Sequence, residues 1–122
     1  MLLQILKSKI KQLTVTESNA EYQGSISLPE ELMHAANIKP FESVHVNNKT
    51  NGNRIITYAI KSNQKGKVTI NGAASKLFSK GDIVHILVFA YMNEIEANGF
   101  IPTLVITDKE NNLIKSEAYR LD

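Results

Sequence analysis

The dipeptide Gly24-Ser25, preceded by Tyr22, is a place in this chain where covalent chemistry can begin from backbone and side chain alone. The serine hydroxyl can attack the carbonyl before it, so that the amide becomes an ester and an amine is freed. Elimination from that ester leaves dehydroalanine, and its hydrolysis yields a pyruvoyl group at a new N-terminus. Glycine suits the preceding position because it lacks a Cβ, so the backbone can reach strained dihedrals and expose the carbonyl. A pyruvoyl ketone forms a Schiff base with an amine and then acts as an electron sink. Gly-Ser is also an ordinary turn dipeptide, and alone it decides nothing.

Other routes to chemistry are closed or weak. The chain has no cysteine, which removes disulfides, thiolate metal sites and a thiol nucleophile. No glycine-rich phosphate loop or dinucleotide fingerprint occurs. His34, His45 and His85 have no partner at metal-ligand spacing and no acid beside them, so each reads as a surface or packing residue and no metal is expected.

The elements that must position Gly24-Ser25 are short. With 122 residues, 43% hydrophobic and 21% charged, the chain has the makings of one globular unit. Fourteen Lys and Arg against twelve Asp and Glu leave a net charge of +2, too small to argue for nucleic acid or an anionic membrane. No apolar run reaches the roughly 20 residues that span a bilayer. Met1 to Ile5 is apolar and precedes Lys7, Lys9 and Lys11, the reverse of a secretory leader, so a cytoplasmic protein is expected. Leu3 to Thr16 reads as a strand. Tyr22 to Leu28 alternates weakly and bends at Gly24. Ser27, Pro29, Glu30 and Glu31 open a helix through Leu32, Met33 and Ala36 that Asn37 ends. Strands follow at Val44–Val46 and Ile55–Ile60 around an Asn51-Gly52 hairpin, then at Val68–Ile70. Ala73 to Phe78 allows a helical turn or two, Ile83 to Met92 is a buried central strand, and Thr103 to Ile106 is a late one. The pattern predicts a mainly β fold, a small closed barrel with one or two short helices, over residues 1–115, and a charged tail that frays over 116–122.

Several segments carry a family resemblance. Tyr22-Gln23-Gly24-Ser25, Asn51-Gly52-Asn53-Arg54, Thr57-Tyr58-Ala59-Ile60, Asn71-Gly72-Ala73-Ala74 and Gly81-Asp82-Ile83-Val84 occur in this order, with Lys9 ahead of them. Together they resemble the pyruvoyl-dependent aspartate 1-decarboxylase family over roughly residues 1 to 106. The resemblance implies a double-ψ β-barrel and a proenzyme that cleaves itself between Gly24 and Ser25, leaving a covalently bound pyruvoyl group formed from Ser25. It implies conversion of L-aspartate to β-alanine and carbon dioxide for pantothenate biosynthesis, in a homotetramer with active sites between subunits. An accessory maturation factor serves some members of the family.

The resemblance also distributes roles. Thr57 would hydrogen-bond near the scissile carbonyl, although as a strand former it needs no function. Tyr58 would donate the proton that replaces carbon dioxide, because a phenol keeps its proton at neutral pH. Arg54, otherwise a solvated arginine after a turn, would clamp one substrate carboxylate, which a planar guanidinium suits better than an ammonium. Lys9, otherwise one of three solvated lysines on a strand face, would bind the other. Asn71, Gly72, Ala73 and Ala74, otherwise an ordinary turn, would floor the pocket, with Tyr22 beside the catalytic tyrosine. The chain departs from the family at Lys11, where histidine is usual, at Asn47, near which many members have tryptophan, and at Ser75 in place of a third alanine.

A binding module is the alternative. Ile26 to Leu32, followed by Ala36-Asn37-Ile38 and Val44-His45-Val46, resembles the core of swapped-hairpin, transition-state-regulator-like DNA-binding domains. The chain lacks the concentrated basic face that tracking phosphates requires.

Overall fold

A computed structural model describes residues 1–21 and 24–121; Tyr22, Gln23 and Asp122 lie outside the described residues. The role expected for Tyr22 therefore falls outside them.

The strands are β1 (Leu2–Thr14), β2 (Glu17–Asn19), β3 (Ser25–Pro29), β4 (Ser43–Asn48), β5 (Arg54–Ser62), β6 (Thr69–Asn71), β7 (Ile83–Asn93), β8 (Thr103–Thr107) and β9 (Leu113–Ala118). Helix α1 (Glu30–Ala35), a 3-10 turn over Gly72–Leu77 and α2 (Glu94–Ala97) complete the chain. The strands pair in the order β2-β6-β3-β5-β4-β7-β1-β8-β9, antiparallel except for β1 with β8, β2 with β6 and β3 with β5.

This sheet cannot be flat. β1 and β2 are six places apart in that order, so a flat sheet would separate them by about 29 Å, whereas the link from Thr14 to Glu17 reaches only about 10 Å. The sheet curls round on itself, and Ile10, Leu13, Ile26, Ile70, Val84 and Ile86 fill the enclosed space with no exposed surface. The mainly β barrel with short helices is the expected fold class. β7 is central as expected, with Val84, Ile86 and Val88 inward and His85, Leu87 and Phe89 half-buried on the outer face. Residues 26–46, the segment that resembles DNA-binding modules in sequence, fall in β3, α1 and β4 of this same barrel.

Some local readings change. Ser27 does not cap α1: it stays in β3, and Pro29 takes the N-cap position with no side-chain cap bond. Asn37 does end the helix, at φ 55. Asn51-Gly52 sits in a loop over residues 49–53 instead of a two-residue hairpin. At its start the Asn48 side-chain amide donates to the Asp82 carboxylate at 2.8 Å, and the Asn48 backbone carbonyl accepts the Gly52 N–H at 2.8 Å. Residues 116–118 of the charged tail belong to β9, which pairs with β8 from Leu113 through Ala118, and the Tyr119 N–H reaches the Pro102 carbonyl at 2.7 Å. Charged side chains hid this strand, whose residues are all exposed. Helix α2 was missed, although Asn93 and Glu96 form a capping box.

One buried residue fastens the crossing from β1 to β2. Asn111, 1% exposed, accepts from the Thr14 N–H at 2.8 Å and donates to the carbonyls of Thr14 and Gly66, both at 2.9 Å. Gly66 must be glycine there: its φ is 74, and a Cβ would lie 2.8 Å from the Glu110 carbonyl oxygen. Asn111→Ala strands three backbone groups and places alanine at φ 64, so urea unfolding should report a loss of about 2–4 kcal/mol.

Candidate active site

Ser25 opens β3 between two neighbours. It pairs with Asn71 of antiparallel β6, and the rung joining Ile26 to Ala59 of parallel β5 brings it level with Tyr58. The side chain is 3% exposed, and its φ of 156 is one that L-residues seldom adopt. Gly24 just before it is exposed, and a Cβ there would meet nothing within 4 Å, so lack of space is not what calls for glycine. The unusual dihedral belongs to Ser25.

The Asn71 side chain reaches across this rung. Its Nδ2 donates to Ser25 Oγ at 2.8 Å and to Ser27 Oγ at 3.2 Å. Asn71 is itself 4% exposed, so both partners of the shorter bond are buried. The contact occupies one lone pair of the Ser25 hydroxyl and leaves the other lone pair and the proton available. The hydroxyl is oriented, and it remains a competent nucleophile.

Around this pair lies a cavity of about 630 Å³, lined by Gly24, Ser25, Asn71 and Tyr58 among others. Phe41 packs against Tyr58 with ring centroids 6.2 Å apart. Lys61 and Lys67 stand at the same cavity, held by Glu30 at 3.1 Å and Glu17 at 3.2 Å. Glu17, Ser27, Thr69, Phe41, Lys61 and Lys67 were not expected there. Period-two alternation was the available signal, since Ser27 follows Ser25 by two and Thr69 precedes Asn71 by two.

The structure leaves other candidates outside this cavity. Thr57 is half-buried opposite fully buried Val44. Gly72, Ala73 and Ala74 follow Asn71 into the 3-10 turn and are not among the lining residues. Arg54 is exposed on β5, four residues from Tyr58, a distance of about 13 Å along a strand. Lys9 lies on β1 opposite Leu87, its ammonium 6.0 Å from the centre of the Tyr119 ring. The three lysines share a face but not an environment: Lys7 pairs with Glu42 at 2.6 Å, and Lys11 is exposed. Among the described residues no cluster of His, Asp and Glu could hold a metal ion, and no helix is long and apolar enough to cross a membrane.

His85 lies beside Lys9, and its Nδ1 accepts the Gln12 N–H at 3.1 Å. Burial first, and then the charges of Lys9, Lys49 and Lys11, lower its pKa from the ordinary value. The unfolded chain therefore binds this proton more readily than the folded one. His85 contributes its stability in full above about pH 6.5, and that contribution is lost as pH falls below this value. Urea stability measured from pH 7.5 to 5 should fall less for His85→Gln than for the unsubstituted chain, and parallel curves would contradict the assignment.

Comparison with known proteins bears on the whole chain. A model of the aspartate decarboxylase family matches residues 1–114. A Pelotomaculum thermopropionicum protein named aspartate 1-decarboxylase is 47% identical over 116 residues, 94% of this chain and 88% of its own. Its namesake from Acaryochloris marina is 46% identical, over 90% of this chain and 85% of its own. The one from Caulobacter vibrioides is 44% identical over 97% of this chain and all of its own. A solved structure of a rationally designed protein superposes on 62% of this chain and 90% of its own, with a TM-score of 0.47 and 13% identity. A family match of this extent and relatives this similar leave one assignment: the chain belongs to the aspartate decarboxylase family of enzymes.

Proposed function

We propose that this chain is made as a proenzyme that splits between Gly24 and Ser25 and then converts L-aspartate to β-alanine and carbon dioxide, supplying pantothenate biosynthesis in the cytoplasm. The observation that carries this reading is the buried 2.8 Å hydrogen bond from Asn71 to Ser25 Oγ, one residue after an exposed glycine. In the first step Ser25 Oγ bonds to the Gly24 carbonyl carbon as the C–N bond breaks and the nitrogen takes up the hydroxyl proton. Elimination then releases residues 1–24 with a C-terminal carboxylate and leaves dehydroalanine at position 25. Water displaces its nitrogen as ammonia and leaves a pyruvoyl group. The position fits such a group, being buried, small and already provided with the Asn71 amide as donor. That group supplies an electrophilic carbonyl and an electron sink for the decarboxylation.

The remaining work falls to the chain's own side chains. Tyr58, level with Ser25 at the same cavity, gives its phenol proton to the carbon that loses carbon dioxide. Thr57, outside the cavity of its own chain, is given the role of assisting the acyl shift at the scissile carbonyl of a neighbouring copy. The two carboxylates of aspartate require two cations at fixed distance, the roles given to Arg54 and Lys9. Neither lines the cavity of one chain, so the proposal includes a homotetramer in which a neighbouring copy supplies what this cavity lacks. Gly72, Ala73 and Ala74 act in the same composite pocket. A maturation factor that helps Ser25 reach the Gly24 carbonyl is compatible with this scheme.

Two substitutions separate maturation from turnover. Ser25→Ala removes only the attacking oxygen, so the protein should fold, stay in one piece and form no β-alanine from aspartate above background. Any residual decarboxylation in that variant sinks the pyruvoyl reading. Tyr58→Phe keeps the ring and loses the proton donor. It should still split, while kcat falls about a hundred-fold or more, the scale of a lost general acid. Near-normal turnover would assign the proton to another group.

A further inference from the structure

Phe41 combines features that seldom meet in one side chain. Its φ of 71 lies in the left-handed region, a costly conformation for a bulky L-residue. Its ring is 76% exposed, so burial does not repay that cost. What the conformation secures is contact with Tyr58, at 6.2 Å between ring centroids and 34° between planes, with both rings lining the Ser25 cavity. Distances of this order are the ones aromatic pairs prefer.

The backbone enforces the contact from both sides. The Phe41 N–H donates to the Ala59 carbonyl at 2.7 Å, and the Ala59 N–H donates to the Glu42 carbonyl at 3.0 Å. Ala59 directly follows Tyr58, so this loop is fastened to β5 one residue from the phenol. The Glu42 carboxylate accepts from the Lys39 N–H at 2.9 Å and pairs with Lys7 at 2.6 Å, which closes the loop on itself and ties it to β1. Asparagine or glycine would satisfy the same backbone with less strain. The chain instead carries a benzyl group there, over the residue that supplies the proton.

We propose that Phe41 is a positioning residue for Tyr58: its ring is the side wall that fixes the direction of the phenol toward Ser25. This rests on the decarboxylase reading, in which Tyr58 protonates the substrate carbon. Proton transfer demands alignment to a fraction of an ångström, whereas binding of the two substrate carboxylates does not pass through this ring.

The test compares Phe41→Asn, which keeps the left-handed backbone and loses the ring, with Phe41→Tyr, which keeps the ring. Thermal unfolding, splitting after residue 24, and kcat and KM for aspartate are measured on the full-length protein. Phe41→Asn should unfold no earlier than the unsubstituted chain and split fully, with kcat about ten-fold lower and KM changed less than about two-fold. Phe41→Tyr should restore kcat to within about two-fold of the original. Phe41→Gly, equally free of strain, repeats the comparison if the asparagine variant folds poorly. A ring-free variant with unchanged kcat overturns the proposal, as does a loss confined to KM or one traced to incomplete splitting. If the unsubstituted chain itself neither splits nor consumes aspartate, the decarboxylase reading fails, and that result is visible before any variant is compared.

Discussion

Ser25 is held at the start of a strand by backbone pairing on both sides while its hydroxyl is fixed by the Asn71 amide, and the preceding residue stands in solvent. A serine in an ordinary turn is free to rotate and solvate; this one is confined in backbone and side chain. The confinement depends on register. A slip of one residue between β3 and β6 would send Asn71 to the opposite face and leave both buried polar groups without partners. That register rests on the curl of the whole sheet, because β6 reaches β3 only where the barrel wraps back toward β2. The clip at Asn111 and Gly66 holds the chain where β1 leaves one part of the sheet for the other. A feature far from the cavity thereby helps set its geometry.

The fold sets Arg54 and Lys9, the cations expected to bind carboxylates, apart from the groups that can react. Groups that can react, Ser25, Asn71 and Tyr58, share a cavity. Arg54 and the cluster of Lys9, Lys11 and Lys49 around His85 lie elsewhere on the strands β5, β1 and the loop after β4. In the proposed scheme assembly unites the two sets, which makes the substrate site a property of the tetramer. Lys11 has a visible consequence within one chain: after burial and the charges of Lys9 and Lys49, it is a further cause of the lowered His85 pKa.

Much of this was legible in the sequence, for reasons that differ by element. Runs of β-branched and apolar residues placed β4, β5 and β7. β1 was read as strand from Thr14-Val15-Thr16, because its own apolar pattern suits a helix nearly as well. Asn37 marked the end of α1 because few residues accept a left-handed backbone. β9 was illegible because an edge strand with every side chain exposed has no hydrophobic alternation to read. Ser27 was misread because serine before proline and glutamate looks like a cap, and only the tertiary pairing of β3 to β5 keeps it extended. At the site, motif order identified Ser25, Tyr58 and Asn71, which the structure brings together. Phe41 was invisible, since its contact with Tyr58 comes from a left-handed turn that no local signal announces. Arg54 and Lys9 lie outside the cavity of one chain, a separation along the strands that their place in the motif order does not reveal.

The central claim is that Ser25 is the precursor of the reactive group, and the intact mass of the purified full-length protein tests it most directly. Two fragments are expected, residues 1–24 ending in a carboxylate and residues 25–122 beginning with a carbonyl that borohydride reduces, with the second fragment trapping aspartate on reduction. A protein that consumes aspartate as one unbroken chain with an unmodified serine at position 25 would contradict it.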